Sequence, residues 1–180
     1  VVGTECGRQL VDNTVAKLNS DLSLTRDSIK DSFASLTIGS ASAAIVLCHQ
    51  RLSRNGARLR AATVYADTAH HDLCQSEGLS QVMQTDSEKL MRAGVAAGAA
   101  NFERLLDSAG WTRERINRTF CHQVGAAHRK MMLDALGLPI ENDYPTVDWL
   151  GNTGSAALPS ALSLGLEAGA VKRGDRVALL

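Results

Sequence analysis

The sequence predicts an α/β fold with a mostly parallel sheet. Three observations point to it. Apolar strand-like runs alternate with helical periodicities along the chain, glycines close the helical runs, and polar side chains stand where a strand-like run meets a helix-like one.

Val1-Val2-Gly3-Thr4-Glu5 reads as the end of a strand. Gly7 to Leu18 reads as a helix, with Leu10, Val11, Thr14, Val15 and Leu18 at helical spacing. Asn19 to Asp31 is polar and rich in Ser and Asp, which predicts a loop. The apolar stretch from Phe33 to Leu47 places a strand over Ala43 to Cys48, behind a Gly39-Ser40 turn. Arg51 to Arg58 is a charged connector with an Asn55-Gly56 turn signal, and the alternation from Leu59 to Asp67 predicts a further strand. His70 to Gln84 is polar and irregular.

Thr85-Asp86-Ser87-Glu88 has the form of a capping box, so a helix is expected from there to Ala109, closed by Gly110. Its Ala/Gly-rich stretch, Ala93 to Ala100, should press against a neighbouring element. Ile116 to Cys121 predicts a strand, and Val124 to Leu136 a helix ended by Gly137 and Leu138-Pro139. After a loop over Glu141 to Asp148, a helix is expected from Ser155 to Ala168 with Pro159 in its first turn. Arg176 to Leu180 begins a last strand. A chain that opens and stops inside strand-like runs is expected to be a piece of a longer one, because termini usually lie in exposed, frayed segments.

Composition narrows the function classes. With 44% hydrophobic and 21% charged residues the chain is globular. Nineteen basic and nineteen acidic residues cancel, and aromatic residues are 4%, so neither a basic face nor a stacking platform for nucleic acid is expected. Cys6, Cys48, Cys74 and Cys121 show no paired spacing, which argues against a zinc knuckle or a disulfide scaffold. Reduced, mostly buried thiols in a cytoplasmic protein are the expectation. No run approaches the ~18 apolar residues of a membrane span.

Two junctions carry the chemistry. His122 closes the run Ile116 to Cys121, and Asn152 opens the small-residue helix. Functional side chains of open α/β sheets collect at the carboxyl ends of strands. A neutral imidazole N–H and a carboxamide NH₂ both donate to a developing oxyanion, which suits carbonyl chemistry. Each residue also has a plainer reading. A histidine at a strand end is often structural, and Gly151-Asn152-Thr153-Gly154 is also a turn or an anion cradle, although no Lys follows at the P-loop position. Cys121 should face away from His122, because adjacent strand residues point to opposite faces. His70, His71 and Cys74 lack further metal-ligand partners, His128 stands alone, and Cys6 at a helix start lacks a small-residue elbow.

His122-Gln123, Leu136-Gly137-Leu138-Pro139, Gly151-Asn152-Thr153-Gly154-Ser155 with Pro159, and Gly174-Asp175-Arg176-Val177-Ala178-Leu179-Leu180 come in an order that resembles the C-terminal half of 3-oxoacyl-ACP synthase III, the ketosynthase III branch of the thiolase superfamily. That resemblance implies a layered α/β/α/β/α thiolase-like fold, here incomplete. Residues 1–60 would end the N-terminal half-fold and residues 61–180 would form most of the C-terminal one. In such enzymes a cysteine at the N-terminus of a buried helix is acylated. A histidine and an asparagine then hold the carbonyl of a second thioester while a carbon–carbon bond forms. The resemblance assigns those two roles to His122 and Asn152 and puts the nucleophile upstream of Val1. It also implies acyl-CoA and possibly acyl carrier protein as substrates, a homodimer, and neither cofactor nor metal.

The fatty-acid initiating enzymes of this branch read His-Gln-Ala-Asn, one residue, then Arg-Ile. Here Ala127 stands at the position of the Arg that contacts the carrier protein, with Arg129 as a shifted candidate for docking. Gly154 replaces a serine. These departures, with Ser35 to Ser40, look more like the OleA-type enzymes that join two acyl-CoA chains. The expected function is thus a Claisen-condensing acyltransferase. The alternatives are the initiating synthase and a non-catalytic thiolase-fold partner subunit.

Overall fold

A computed structural model describes residues 1–77 and 82–180 of the 180-residue chain. Strand β1 (Val2–Cys6) leads into helix α1 (Arg8–Ser20) and the short helix α2 (Phe33–Leu36). Strand β2 (Ser40–Ala44) then returns antiparallel to β1, Cys6 opposite Ser40 and Val2 opposite Ala44. Strands β3 (Cys74–Glu77) and β4 (Val82–Thr85) form an antiparallel pair. Helix α3 (Ser87–Ala109) is followed by β5 (Arg118–Phe120), α4 (Ala126–Leu136), the single turn α5 (Val147–Leu150), α6 (Ala157–Glu167) and β6 (Val177–Leu179), which lies parallel to β5.

Layering follows from which faces are apolar. On one side of the β5–β6 pair, Phe102 and Leu106 of α3 and Leu133 and Leu136 of α4 pack with Ile116, Cys121 and Ala178 into the main core. On the other side α6 lies against β5. A Cβ on Gly165 would stand 2.4 Å from the Phe120 ring, so only glycine lets this helix approach so closely. Gly98 plays a similar part between α3 and α4, where an added Cβ would meet Met132 Sδ at 3.0 Å. That contact bears out the expectation that the Ala/Gly-rich stretch is pressed against a neighbour.

Helix ends agree with the sequence signals, with one shift. Asp86, not Thr85, caps α3, its carboxylate accepting the Lys89 N–H at 3.1 Å. Gly110 and Gly137 end α3 and α4 in the left-handed conformation, at φ 63° and 66°.

Several expectations are corrected. The sheet is not mostly parallel: among the described residues two of the three ladders are antiparallel. The second strand is Ser40–Ala44, paired with β1, rather than Ala43 to Cys48. Leu59 to Asp67 forms no strand. It runs beside α3, where Thr63 C=O accepts from Asn101 Nδ2 at 3.5 Å, and it has no ladder partner among the described residues. The stretch His70 to Gln84 carries β3 and β4. Their polar Gln75, Ser76 and Gln84 hid the alternation, and residues 78–81 of that stretch lie outside the described ones. Three of the four thiols, Cys6, Cys48 and Cys74, are exposed, and only Cys121 is buried. No helix among the described residues is long and apolar enough to cross a membrane.

Candidate active site

His122 is held at its backbone by the β5–β6 ladder running on past the two strands: Leu180 N–H donates to Phe120 C=O at 2.9 Å, and His122 N–H to Leu180 C=O at 2.7 Å. Side chains alternate as expected at this strand end. Cys121 enters the core at 2% exposure while His122 emerges on the surface. Burial, seconded by the nearby Asp143 carboxylate, pushes the Cys121 thiol far up, so it is no nucleophile.

Partial burial of the His122 ring holds its imidazole below the ordinary value of about 6.5. His128 in α4 is shifted the same way, first by burial and then by the closeness of His122, and its Nδ1 is buried without a hydrogen-bond partner. The histidine that stood alone in the sequence is thus within electrostatic range of the candidate one.

Asn152 is fixed by both backbone and side chain. Its N–H donates to Thr37 C=O at 2.8 Å, and its C=O accepts the Gly39 N–H at 2.8 Å, forming an isolated parallel bridge with Ile38. Two glycines make this approach possible. A Cβ on Gly39 would fall 1.9 Å from Leu150 C=O. Gly151, at φ 69°, would place one 2.7 Å from Thr37 C=O. The Asn152 Oδ1 accepts the Gly154 N–H at 3.0 Å, an Asx turn that commits the oxygen and leaves the NH₂ as the donor end of the carboxamide. Gly154, at φ 51°, rests against the Glu5 carboxylate, so any larger residue there would strain the backbone and push the Glu5 side chain aside.

The two candidate segments are tied together by Gln123, which stands in the His122-Gln123 motif without a role of its own assigned from the sequence. Gln123 is 1% exposed and bonds to Tyr144, Thr146 and Val147, at the start of the turn that leads to Asn152. A shallow pocket of about 430 Å³ opens between the segments. It is lined by Val124 and Gly125 after His122, by Leu150 and Gly151 before Asn152, and by Thr37 and Ile38. Arg129 does not line this pocket. It is engaged in a buried ion pair with Asp143 (Nε to Oδ2, 2.6 Å) and in bonds to the carbonyls of Ile140 and Asp143. Among the described residues no group of three or more His, Cys, Asp or Glu side chains is placed to hold a metal.

Residues 106–180 match the family model described as 3-Oxoacyl-[acyl-carrier-protein (ACP)] synthase III C terminal. The whole chain aligns at 34% identity with the acyl-CoA:acyl-CoA alkyltransferase of Shewanella oneidensis, over 54% of that protein. The chain belongs to the ketosynthase III branch of the thiolase superfamily. A second ketosynthase III relative, the beta-ketoacyl-[acyl-carrier-protein] synthase III of Erythrobacter litoralis, is 29% identical over 82% of the chain and 48% of its own length. The fold agrees: a cysteine-to-alanine variant of Xanthomonas campestris OleA superposes with a TM-score of 0.89 at 25% identity, covering 98% of this chain and 51% of that one. The chain therefore has the thiolase-like fold and spans about half the length of the curated ketosynthase III relatives it matches.

Carbanion chemistry would need a neutral imidazole, since an imidazolium would hand its proton to the enolate and quench it. If the whole protein condenses thioesters with His122 as a donor, its rate is expected to fall on acidification at a lower pH than an ordinary histidine would dictate, because the folded pKa lies below the ordinary one. A pH–rate profile checks this. A rate that already falls between pH 8 and 7 on a histidine titration would contradict it.

Proposed function

We propose that the whole protein is a Claisen-condensing acyltransferase in which the His122 imidazole and the Asn152 carboxamide donate hydrogen bonds to one thioester oxygen. The observation that carries this reading is the Asn152 carboxamide, its oxygen committed to the Asx turn, on a segment whose start is held by Gln123, the residue after His122. The α-carbon of a second thioester attacks the acyl carbonyl carbon held on an enzyme thiol. A carbon–carbon bond forms, and the thiolate leaves with the electron pair. The α-proton goes to a base, or CO₂ leaves if the attacking unit is malonyl. Negative charge grows on the second thioester's oxygen, where two preorganised neutral donors stabilise it. The thiol comes from outside residues 1–180, in keeping with three exposed cysteines and one inert buried one.

We propose acyl-CoA for both substrates. In support, the 34%-identical relative bears the name acyl-CoA:acyl-CoA alkyltransferase, and an OleA structure holds lauric acid and lauroyl-CoA. Ala127 offers no cation to a carrier protein, and Arg129 is committed to Asp143. The division into half-folds at residue 60, a homodimer and a cytoplasmic location belong to the same proposal. Incubating the whole protein with long-chain acyl-CoA alone is expected to yield a 3-oxoacyl product without CO₂ release. Product only with malonyl carrier protein, accompanied by CO₂, would make it the initiating synthase. No product under either condition would favour the non-catalytic partner subunit.

A further inference from the structure

The α5 turn, Val147–Leu150, has no capping side chain of its own. Its first free N–H groups are those of Thr146 and Val147, and both donate to Gln123 Oε1, at 2.9 and 3.1 Å. Gln123 Nε2 donates in turn to Tyr144 C=O at 2.7 Å. One buried carboxamide therefore spends its acceptor capacity and a donor on three points of a loop more than twenty residues away. The reverse orientation of the amide would face its NH₂ with two N–H groups, so the arrangement has a single sense. From this cap the turn runs through Leu150 and Gly151 to Asn152, whose backbone is anchored on Thr37 and Gly39. Upstream, the residue that precedes Gln123 is His122.

We infer that Gln123 is a positioning residue: by capping α5 from the far side of the site it sets the separation between the His122 imidazole and the Asn152 carboxamide. This rests on the reading of those two as the oxyanion donors. The pair works only if both donors reach one oxygen, and a misplacement of about 1 Å costs such chemistry about 10²-fold. First acylation does not draw on the pair and is spared.

The test separates the half-reactions in the whole protein. Release of free CoA in a single turnover reads acylation, and 3-oxoacyl product reads condensation. Gln123→Leu is expected to lose about 10²-fold in condensation and only a few-fold in acylation. Gln123→Glu keeps the acceptor for Thr146 and Val147 but turns a carboxylate toward Tyr144 C=O. Burial raises that carboxyl's pKa, and its protonated form regains the donor. Its condensation rate relative to the parent should therefore rise as pH falls from 8 toward 5.5. A variant that merely loosened the fold would lose both half-reactions alike and show the parent's pH profile, and that result overturns the inference. So does parent-like condensation in either variant. If Gln123→Leu does not fold, Gln123→Glu decides alone. His122→Ala and Asn152→Ala run alongside: normal condensation in these sinks the donor reading itself, whereas their loss beside parent-like Gln123 variants sinks only the positioning role.

Discussion

Replacing His122 or Asn152 by alanine in the whole protein is expected to slow condensation by about 10²–10³-fold each, the usual cost of deleting one oxyanion donor. First acyl transfer to the enzyme thiol should stay within a few-fold of the parent. The asymmetry follows from where charge appears. The Asn152 carboxamide is oriented by its bond to the Gly154 N–H, and the His122 backbone is held by its N–H to Leu180 C=O. The charge these donors would meet appears only as the enolate oxygen forms, so the stabilisation belongs to the transition state of the second step and is lost from kcat rather than KM. The double variant should lose less than the product of the single losses, since both donors serve one oxygen. Rapid-quench measurement of each half-reaction decides the matter. Two variants that condense normally would remove His122 and Asn152 from the mechanism.

The largest stability effect is expected at Asp143. Its carboxylate is fully buried. It accepts Arg129 Nε at 2.6 Å and the Thr119 hydroxyl at 3.1 Å. Asp143→Ala leaves the Arg129 guanidinium, only 16% exposed, without its counter-charge, and the Thr119 hydroxyl without its acceptor. Breaking a buried pair from one side costs about 3–5 kcal/mol. For a chain of this length that lowers Tm by about 6–20 °C. By contrast, Glu88→Ala removes the exposed pair with Arg92 and should cost about 0.3–0.5 kcal/mol. Thermal unfolding of the two variants side by side tests the ranking. A Tm loss at Asp143 no greater than that at Glu88 would show that the buried network contributes little. Because Asp143–Tyr144 lies beside β5 and Tyr144 accepts from Gln123, this network also holds the loop that the site is built on.

Much of the fold was legible because it is written locally. The period of α3, its acidic cap at Asp86 and its glycine stop at Gly110 are all short-range physics, and so is the Gly137 end of α4. The strands were read less well. Among the described residues β2 is Ser40–Ala44 against β1, although the apolar run continues to Cys48. Leu59 to Asp67 alternates as a strand would, yet it has no ladder partner among the described residues. At the site, His122 and Asn152 stood out because each is a polar residue at an element junction. Gln123 stood only within the His122-Gln123 motif, and its role was hidden because the groups it bonds lie more than twenty residues away. Arg129 looked free because its partner, Asp143, is distant in sequence.

From its sequence alone this chain determined its family, the helices with their caps, and the two donor-bearing junctions, because these depend on residue type at short spacing. Only the tertiary structure decided that Gln123 caps α5, that Gly39 and Gly151 make room for the backbone at Asn152, and that Arg129 is buried on Asp143. Each of these joins residues far apart along the chain, and the hydrogen bonds and close contacts involved exist only once burial has brought their backbones together.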